Sequence, residues 1–108
     1  MSTREIFVVS AARTAIGTFG GSLKDVPNTQ LATTAVKAAI ARAGIAPDMV
    51  GHVVMGNVIP TDTKDAYLSR VAAIDAGCPI ETSAFNVNRL CGSGLQAIVS
   101  AAQAIALG

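Results

Sequence analysis

Apolar residues along this chain fall alternately into short runs and helical stripes. Ile6 to Val9 is a continuous apolar run, the pattern of a strand buried on both faces of a parallel sheet. A glycine-rich loop follows from Arg13 to Pro27. Asn28 is a good N-cap for a first helix running to Ala43. Leu31, Ala35, Val36 and Ile40 form its apolar face, Lys37 and Arg42 lie toward its C-terminal end, and Gly44 is its stop. After Pro47 and Asp48 a second strand is predicted from His52 to Ile59, ended by Pro60. Residues 65–76 read as a second helix, with Tyr67, Leu68, Val71 and Ile74 on one side and Gly77 at its end. A third strand, Ala84 to Asn88, alternates: Phe85 and Val87 on one face, Asn86 and Asn88 on the other. From Gly92 or Ser93 to Leu107 the pattern is helical again.

The order βαβαβα predicts an α/β fold with a largely parallel sheet. The first two strands are nearly all apolar and the third alternates, which places the third at a sheet edge or a subunit interface. The last helix says most about the surroundings. From Leu95 to Leu107 its only polar residues are Gln96, Ser100 and Gln103, spaced four and three apart in one narrow stripe. A helix apolar around most of its circumference is buried on most sides. One sheet covers only one side, so a second layer is expected on the other.

Composition points the same way. Hydrophobic residues make up 51% of the 108 and charged residues 14%, where about 25% charged is usual. A small domain has much surface to cover with polar groups, so this segment reads as part of something larger. The formal net charge of +1 contains no basic or acidic run, which disfavours nucleic acid and a polybasic membrane contact. The run from Ile6 to Val9 is too short for a signal h-region or a membrane span. The two cysteines, Cys78 and Cys91, are too few for a disulfide scaffold. A cytoplasmic compartment is the expectation, and no Cys/His cluster has zinc-ligand spacing.

The candidate chemistry lies at the junction of the third strand and the last helix, Asn88-Arg89-Leu90-Cys91-Gly92-Ser93-Gly94-Leu95. It sets Cys91 where first-turn N–H groups lack intrahelical partners and the helix dipole favours negative charge. An ordinary thiol is only a few per cent ionised at neutral pH, and a helix N-terminus raises the reactive fraction. Gly92 and Gly94 are expected to let the backbone turn sharply and a ligand approach it. Such a site suits attack on a thioester, with the Cys91 N–H stabilising the oxyanion.

The string NRLCGSGLQA resembles the active-site cysteine segment of thiolases, especially the biosynthetic acetoacetyl-CoA and β-ketothiolase branch. RTAIGTFGGSLKDV at 13–26 resembles the loop after that family's first strand, and GHVVMGNVIP at 51–60 its second strand. The resemblance implies part of one half of a five-layer α-β-α-β-α core, with the cysteine helix in the central layer and the third strand pairing across a dimer. It also implies that residues 1–108 are an incomplete N-terminal part of the N-terminal domain, without the loop region and C-terminal domain. The implied activity is that of an acyl-CoA C-acyltransferase. Cys91 takes an acyl group from acyl-CoA, and acetyl-CoA then attacks the thioester to give a 3-oxoacyl-CoA, reversibly. CoA thioesters are the substrates, with no resident cofactor or metal, in a homodimer or homotetramer. The family's catalytic histidine, second cysteine and CoA-binding loop have no counterpart in these residues, so the segment alone is expected to be inactive.

Other residues invite weaker readings. His52 opens the second strand, away from that strand's C-terminal end, where α/β active sites lie, and reads as structural or surface. Cys78, between Gly77 and Pro79, reads as buried and inert. Ser93 is a helix cap or, less favoured, a substrate hydrogen-bonder. Asn57 is a backbone-bonding residue or a functional polar group. Gly17, Gly20 and Gly21 fit neither phosphate-loop spacing. The nearest rival activity is a ketoacyl synthase, disfavoured by Leu90 and Gly92. A hydrolase nucleophile elbow wants glycines where Arg89 and Ser93 stand. A non-catalytic thiolase-like module is the alternative of a different class.

Overall fold

The computed structural model describes residues 4–108. Its elements are α1 (Asn28–Ala43), β1 (His52–Gly56), α2 (Leu68–Asp75), β2 (Ser83–Val87) and α3 (Ser93–Leu107), with 3₁₀ turns at Pro47–Met49 and Thr63–Tyr67. β1 and β2 pair in parallel, His52 opposite Ser83 through Gly56 opposite Val87. α1 and α2 pack on each other, α2 also lies against both strands, and α3 packs mainly on β1. This is the mixed α/β architecture expected, with one element missing.

No strand forms over Ile6–Val9. Phe7, Val8 and Val9 are 71–82% exposed. A strand is defined by its neighbour, and no described segment pairs with this one. The second strand is also shorter than expected. It ends at Gly56 because β2 ends at Val87, leaving the Asn57 N–H to bond the Val87 carbonyl at 3.1 Å as the last rung.

α1 has the predicted limits. Gly44 stops it in the left-handed region, φ 70°, where a side chain would be strained. Its entrance differs. Pro27 occupies the cap position, and Asn28 is the first helical residue. The Asn28 Nδ2 instead donates to Thr61 Oγ1 and Asp65 Oδ2, both at 2.9 Å.

Asp65 is 1% exposed and organises the turn before α2. Its Oδ2 also accepts from the Thr61 N–H at 2.8 Å and the Asp62 N–H at 3.1 Å, closing a capping box with Asp62. The Thr61 N–H leads in holding this carboxyl below its ordinary value, outweighing the opposing effect of burial. A depressed carboxylate contributes stability above its unfolded value and loses it as pH falls through the folded one. The knot therefore loosens in acid. Asn86 completes it: Oδ1 accepts from the Ser69 N–H, and Nδ2 donates to the carbonyls of Asp65 and Ala66. Asn86, on the polar face of the alternating strand, is half-buried and spends its amide on these backbone groups.

α2 is rotated from the expected face. Leu68, Ala72, Ala73 and Ala76 are buried, whereas Tyr67 is 53% and Ile74 39% exposed. Its end follows a Schellman pattern. The Gly77 N–H (φ 94°) bonds the Ile74 carbonyl, and the Cys78 N–H bonds the Ala73 carbonyl. Cys78 then packs beside Ala73 and Val53 in the core. Arg70 ties α2 to the approach to β2 by donating to the carbonyls of Thr82 at 2.7 Å and Ile80 at 3.1 Å.

The core itself is thin. Apart from Val53, Leu68 and Cys78, its buried apolar residues are alanines, and the largest fully buried side chains are Asp65 and Ser69. The accessible surface is 7468 Å², where a folded monomer of 10.9 kDa exposes about 5,600 Å². Large apolar side chains are exposed along the chain, among them Leu95, Ile98, Val99, Ile105 and Leu107 of α3. The stretch Leu90–Leu107 is long and apolar enough to cross a membrane by length and composition, yet 11% of it is buried. The helix proper has 15 residues and spans about 22 Å, short of the ~30 Å hydrocarbon core. Its Gln96 and Ser100 bond each other along the polar stripe.

Candidate active site

At the C-terminal ends of the two parallel strands the chain leaves β2 and turns at once into α3. Leu90 takes φ 48°, the only non-glycine residue with positive φ among those described. A left-handed leucine costs of order 1–2 kcal/mol, so surrounding contacts must hold it. The glycines were expected to supply this turn. Gly92 instead caps α3 at φ −90°, a value any residue adopts, and the conformational burden falls on the residue before the cysteine.

The contacts that hold Leu90 come from two side chains. The Asn88 Oδ1 accepts from the Leu90 N–H at 3.0 Å, and its Nδ2 donates to the Val58 carbonyl at 3.3 Å. The Ser93 Oγ accepts from the Arg89 N–H at 2.8 Å and donates to the Leu90 carbonyl at 2.7 Å. Ser93 is thus not the helix cap expected: it bonds backward to the turn and is 4% exposed, which also removes it from direct contact with a substrate. The backbone closes the turn with bonds from the Gly92 N–H to the Arg89 carbonyl and the Ser93 N–H to the Leu90 carbonyl.

Cys91 stands on this turn as a free, exposed cysteine. An ideal Cβ at Gly94, three residues on, meets nothing within 4 Å, so space is open beside the first turn of α3. Cys78 is free and buried, and burial pushes its thiol up from the ordinary value. The two cysteines therefore differ in access as anticipated.

Gly56 was not singled out in the sequence, yet it sets how closely α3 approaches β1. A Cβ there would lie 2.7 Å from the Ser93 carbonyl carbon and 2.9 Å from the Gly94 nitrogen. These are backbone atoms at the base of the elbow and cannot swing aside. Gly56→Ala is expected to displace the N-terminus of α3, cost about 1–3 kcal/mol as overpacking does, and slow modification of Cys91. Thermal melts and alkylation rates check it; an unchanged melting temperature and rate would show that the elbow does not depend on this approach. The only sequence signal was a glycine inside a strand, which often marks a close backbone approach.

The other candidates lie elsewhere. His52 is at the opposite end of β1, about 13 Å along the strand from Gly56 at 3.3 Å per residue, with its ring edge-on to Phe85 at 5.3 Å. Asn57 takes the backbone-bonding role, donating to the Asp65 carbonyl at 3.2 Å. No group of three His, Cys, Asp or Glu among the described residues could hold a metal ion. A depression of about 370 Å³ is lined by Ala11, Ala12, Arg13 and Arg42, none of them part of the elbow.

A cysteine on a strained strand-to-helix turn is a local geometry; comparison with known proteins tells whose it is. The chain is 63% identical to the β-ketothiolase BktB of Cupriavidus necator over 98% of its own length and 27% of that protein's. It is 46% identical to an acetyl-CoA acetyltransferase of the same organism, over 96% of this chain and 26% of that one. The crystal structure of human mitochondrial 3-ketoacyl-CoA thiolase in complex with CoA superposes with a TM-score of 0.91 at 44% identity, covering 94% of this chain and 26% of that one. This chain thus spans about a quarter of the length of these relatives. The thiolase N-terminal domain family matches residues 6–108, a stretch that takes in both strands, all three helices and the elbow, and the chain belongs to the thiolase family.

Proposed function

We propose that this segment supplies the nucleophile of an acyl-CoA C-acyltransferase that condenses acyl-CoA with acetyl-CoA reversibly to a 3-oxoacyl-CoA. The observation that carries this reading is the exposed Cys91 on the elbow at the head of α3. In the first half-reaction the Cys91 sulfur attacks the acyl carbonyl. The bond between that carbonyl and the CoA sulfur breaks, and CoA leaves with a proton. In the second, acetyl-CoA loses a Cα proton to a base, its carbanion attacks the Cys91 thioester, and the Cys91 thiolate departs. The Cys91 N–H serves as an oxyanion donor in both tetrahedral intermediates.

The residues described do not include a placed base. His52 is the only histidine in the sequence, and it sits at the far end of β1. The base comes from the part of the enzyme that corresponds to the other three-quarters of the relatives' length. CoA thioesters are the substrates and no resident cofactor takes part. The assembly is a homodimer or homotetramer in the cytoplasm, with the open edge of β2 at a subunit contact.

In a protein of the relatives' length that carries this segment, a limiting dose of iodoacetamide followed by peptide mapping is expected to label Cys91 well ahead of Cys78. Burial and a raised thiol both protect Cys78. Preferential labelling of Cys78 would sink the assignment.

A further inference from the structure

We propose that Asn88 and Ser93 are positioning residues for Cys91, acting together to hold the left-handed turn at Leu90. The inference rests on the reading of Cys91 as nucleophile and adds what keeps it in place. Leu90 is the residue immediately before the cysteine, so its φ and ψ set where the Cys91 Cα and side chain point. A leucine has no intrinsic reason to remain at φ 48°, because the extended and right-handed regions are lower in energy. The backbone groups around it are nevertheless held by side chains on both sides. Asn88 takes the Leu90 N–H, and Ser93 takes the Leu90 carbonyl and the Arg89 N–H.

The two side chains anchor the turn to different elements. Asn88 reaches back to the Val58 carbonyl, just beyond the end of β1. Ser93 belongs to the first turn of α3 and is buried where that helix meets Gly56. The turn is therefore clamped between the strand ends and the helix. Neither side chain need touch substrate. Both act by removing the alternative conformations of Leu90, which would move the sulfur away from an acyl carbonyl. Backbone strain at functional sites persists only where the surroundings over-determine it, and three side-chain hydrogen bonds to Arg89 and Leu90, with Asn88 itself tied to Val58, do so here.

The test uses Asn88→Ala, Ser93→Ala, Ser93→Thr and the Asn88→Ala/Ser93→Ala double variant in a protein of the relatives' length. Readouts are kcat and KM for thiolysis of acetoacetyl-CoA, the alkylation rate of Cys91 by iodoacetamide, and the melting temperature. Each alanine variant is expected to lower kcat roughly 10- to 100-fold, as misplacement of a reacting group by about 1 Å does, with KM changed less than about two-fold. The Cys91 alkylation rate should change in both. Ser93→Thr, which keeps the hydroxyl, should restore part of the lost kcat. The double variant should lose less than the product of the single effects, because both clamp one turn. A fall in melting temperature with kcat and alkylation unchanged would make the residues structural only and overturn the inference, as would fully multiplicative effects. Full turnover by Cys91→Ser would instead overturn the nucleophile reading, while the alkylation rates would still report on the turn.

Discussion

Cys91→Ser, in a protein of the relatives' length, is expected to abolish acyl transfer while leaving the fold intact. The loss should be at least about 10³-fold in kcat for acetoacetyl-CoA plus CoA, equivalent to ~4 kcal/mol of transition-state stabilisation. A serine hydroxyl is far less acidic than a thiol, so the electrostatics at a helix end cannot ionise it to a useful extent. Oxygen for sulfur is a small change at an exposed position, and the hydrogen bonds that shape the elbow come from Asn88 and Ser93, not from the Cys91 side chain. Thermal unfolding of the variant should therefore match wild type. Turnover near wild type would refute nucleophilic catalysis at this position; loss of cooperative unfolding would show that the sulfur is part of the packing.

Residues 1–108 expressed by themselves are expected to show no thiolysis and no stable monomer. Activity should be absent because the sole histidine is at the wrong end of β1. Instability follows from where the apolar side chains lie. Leu95, Ile98, Val99, Ile105 and Leu107 of α3 are 41–89% exposed. Full burial is worth about 1.5–3 kcal/mol for each such side chain, so roughly 7–15 kcal/mol for the five, an upper estimate because unfolded chains already bury some surface. That is comparable to the whole stability of a typical domain, about 5–15 kcal/mol, and more than half of it is unrealised in this arrangement. The core that remains is built largely of alanines around Val53 and Leu68. Exposed apolar strips of this size drive association. Size-exclusion chromatography, a thermal melt and a thiolysis assay decide the matter. A soluble monomer with a cooperative melt would show that α2, the two strands and the Asp65 knot suffice without a second layer over α3.

The α3 exposure and the missing first strand share a cause. The sequence pattern of Ile6–Val9 and of Leu95–Leu107 describes residues surrounded on several sides, and it is correct about their chemistry. Apolar patterning specifies that burial is needed without naming the partner. The described residues offer β1 as a floor for α3 and no strand partner for Ile6–Val9, so each shows its demand as exposed surface.

What the sequence determined by itself was what is decided within a turn or two of chain. The limits of α1 at Asn28 and Ala43, the left-handed stops at Gly44 and Gly77, and a cysteine at a strand-to-helix junction were all legible. Caps, stops and periodicity act between residues three or four apart. The position of His52 at the start of its strand was legible for the same reason. The tertiary structure decided everything that depends on contacts across tens of residues. Asn28 left its cap position to bond Asp65, and alanines rather than Tyr67 and Ile74 became the buried face of α2. Asn88 tied the turn at Leu90 to the Val58 carbonyl, 30 residues earlier in the chain. Gly56 became indispensable only because α3 returns to lie within van der Waals reach of it. Each of these outcomes is set by which backbones come close in space, and close approach between distant segments leaves no periodicity in the chain for a reader of the sequence to find.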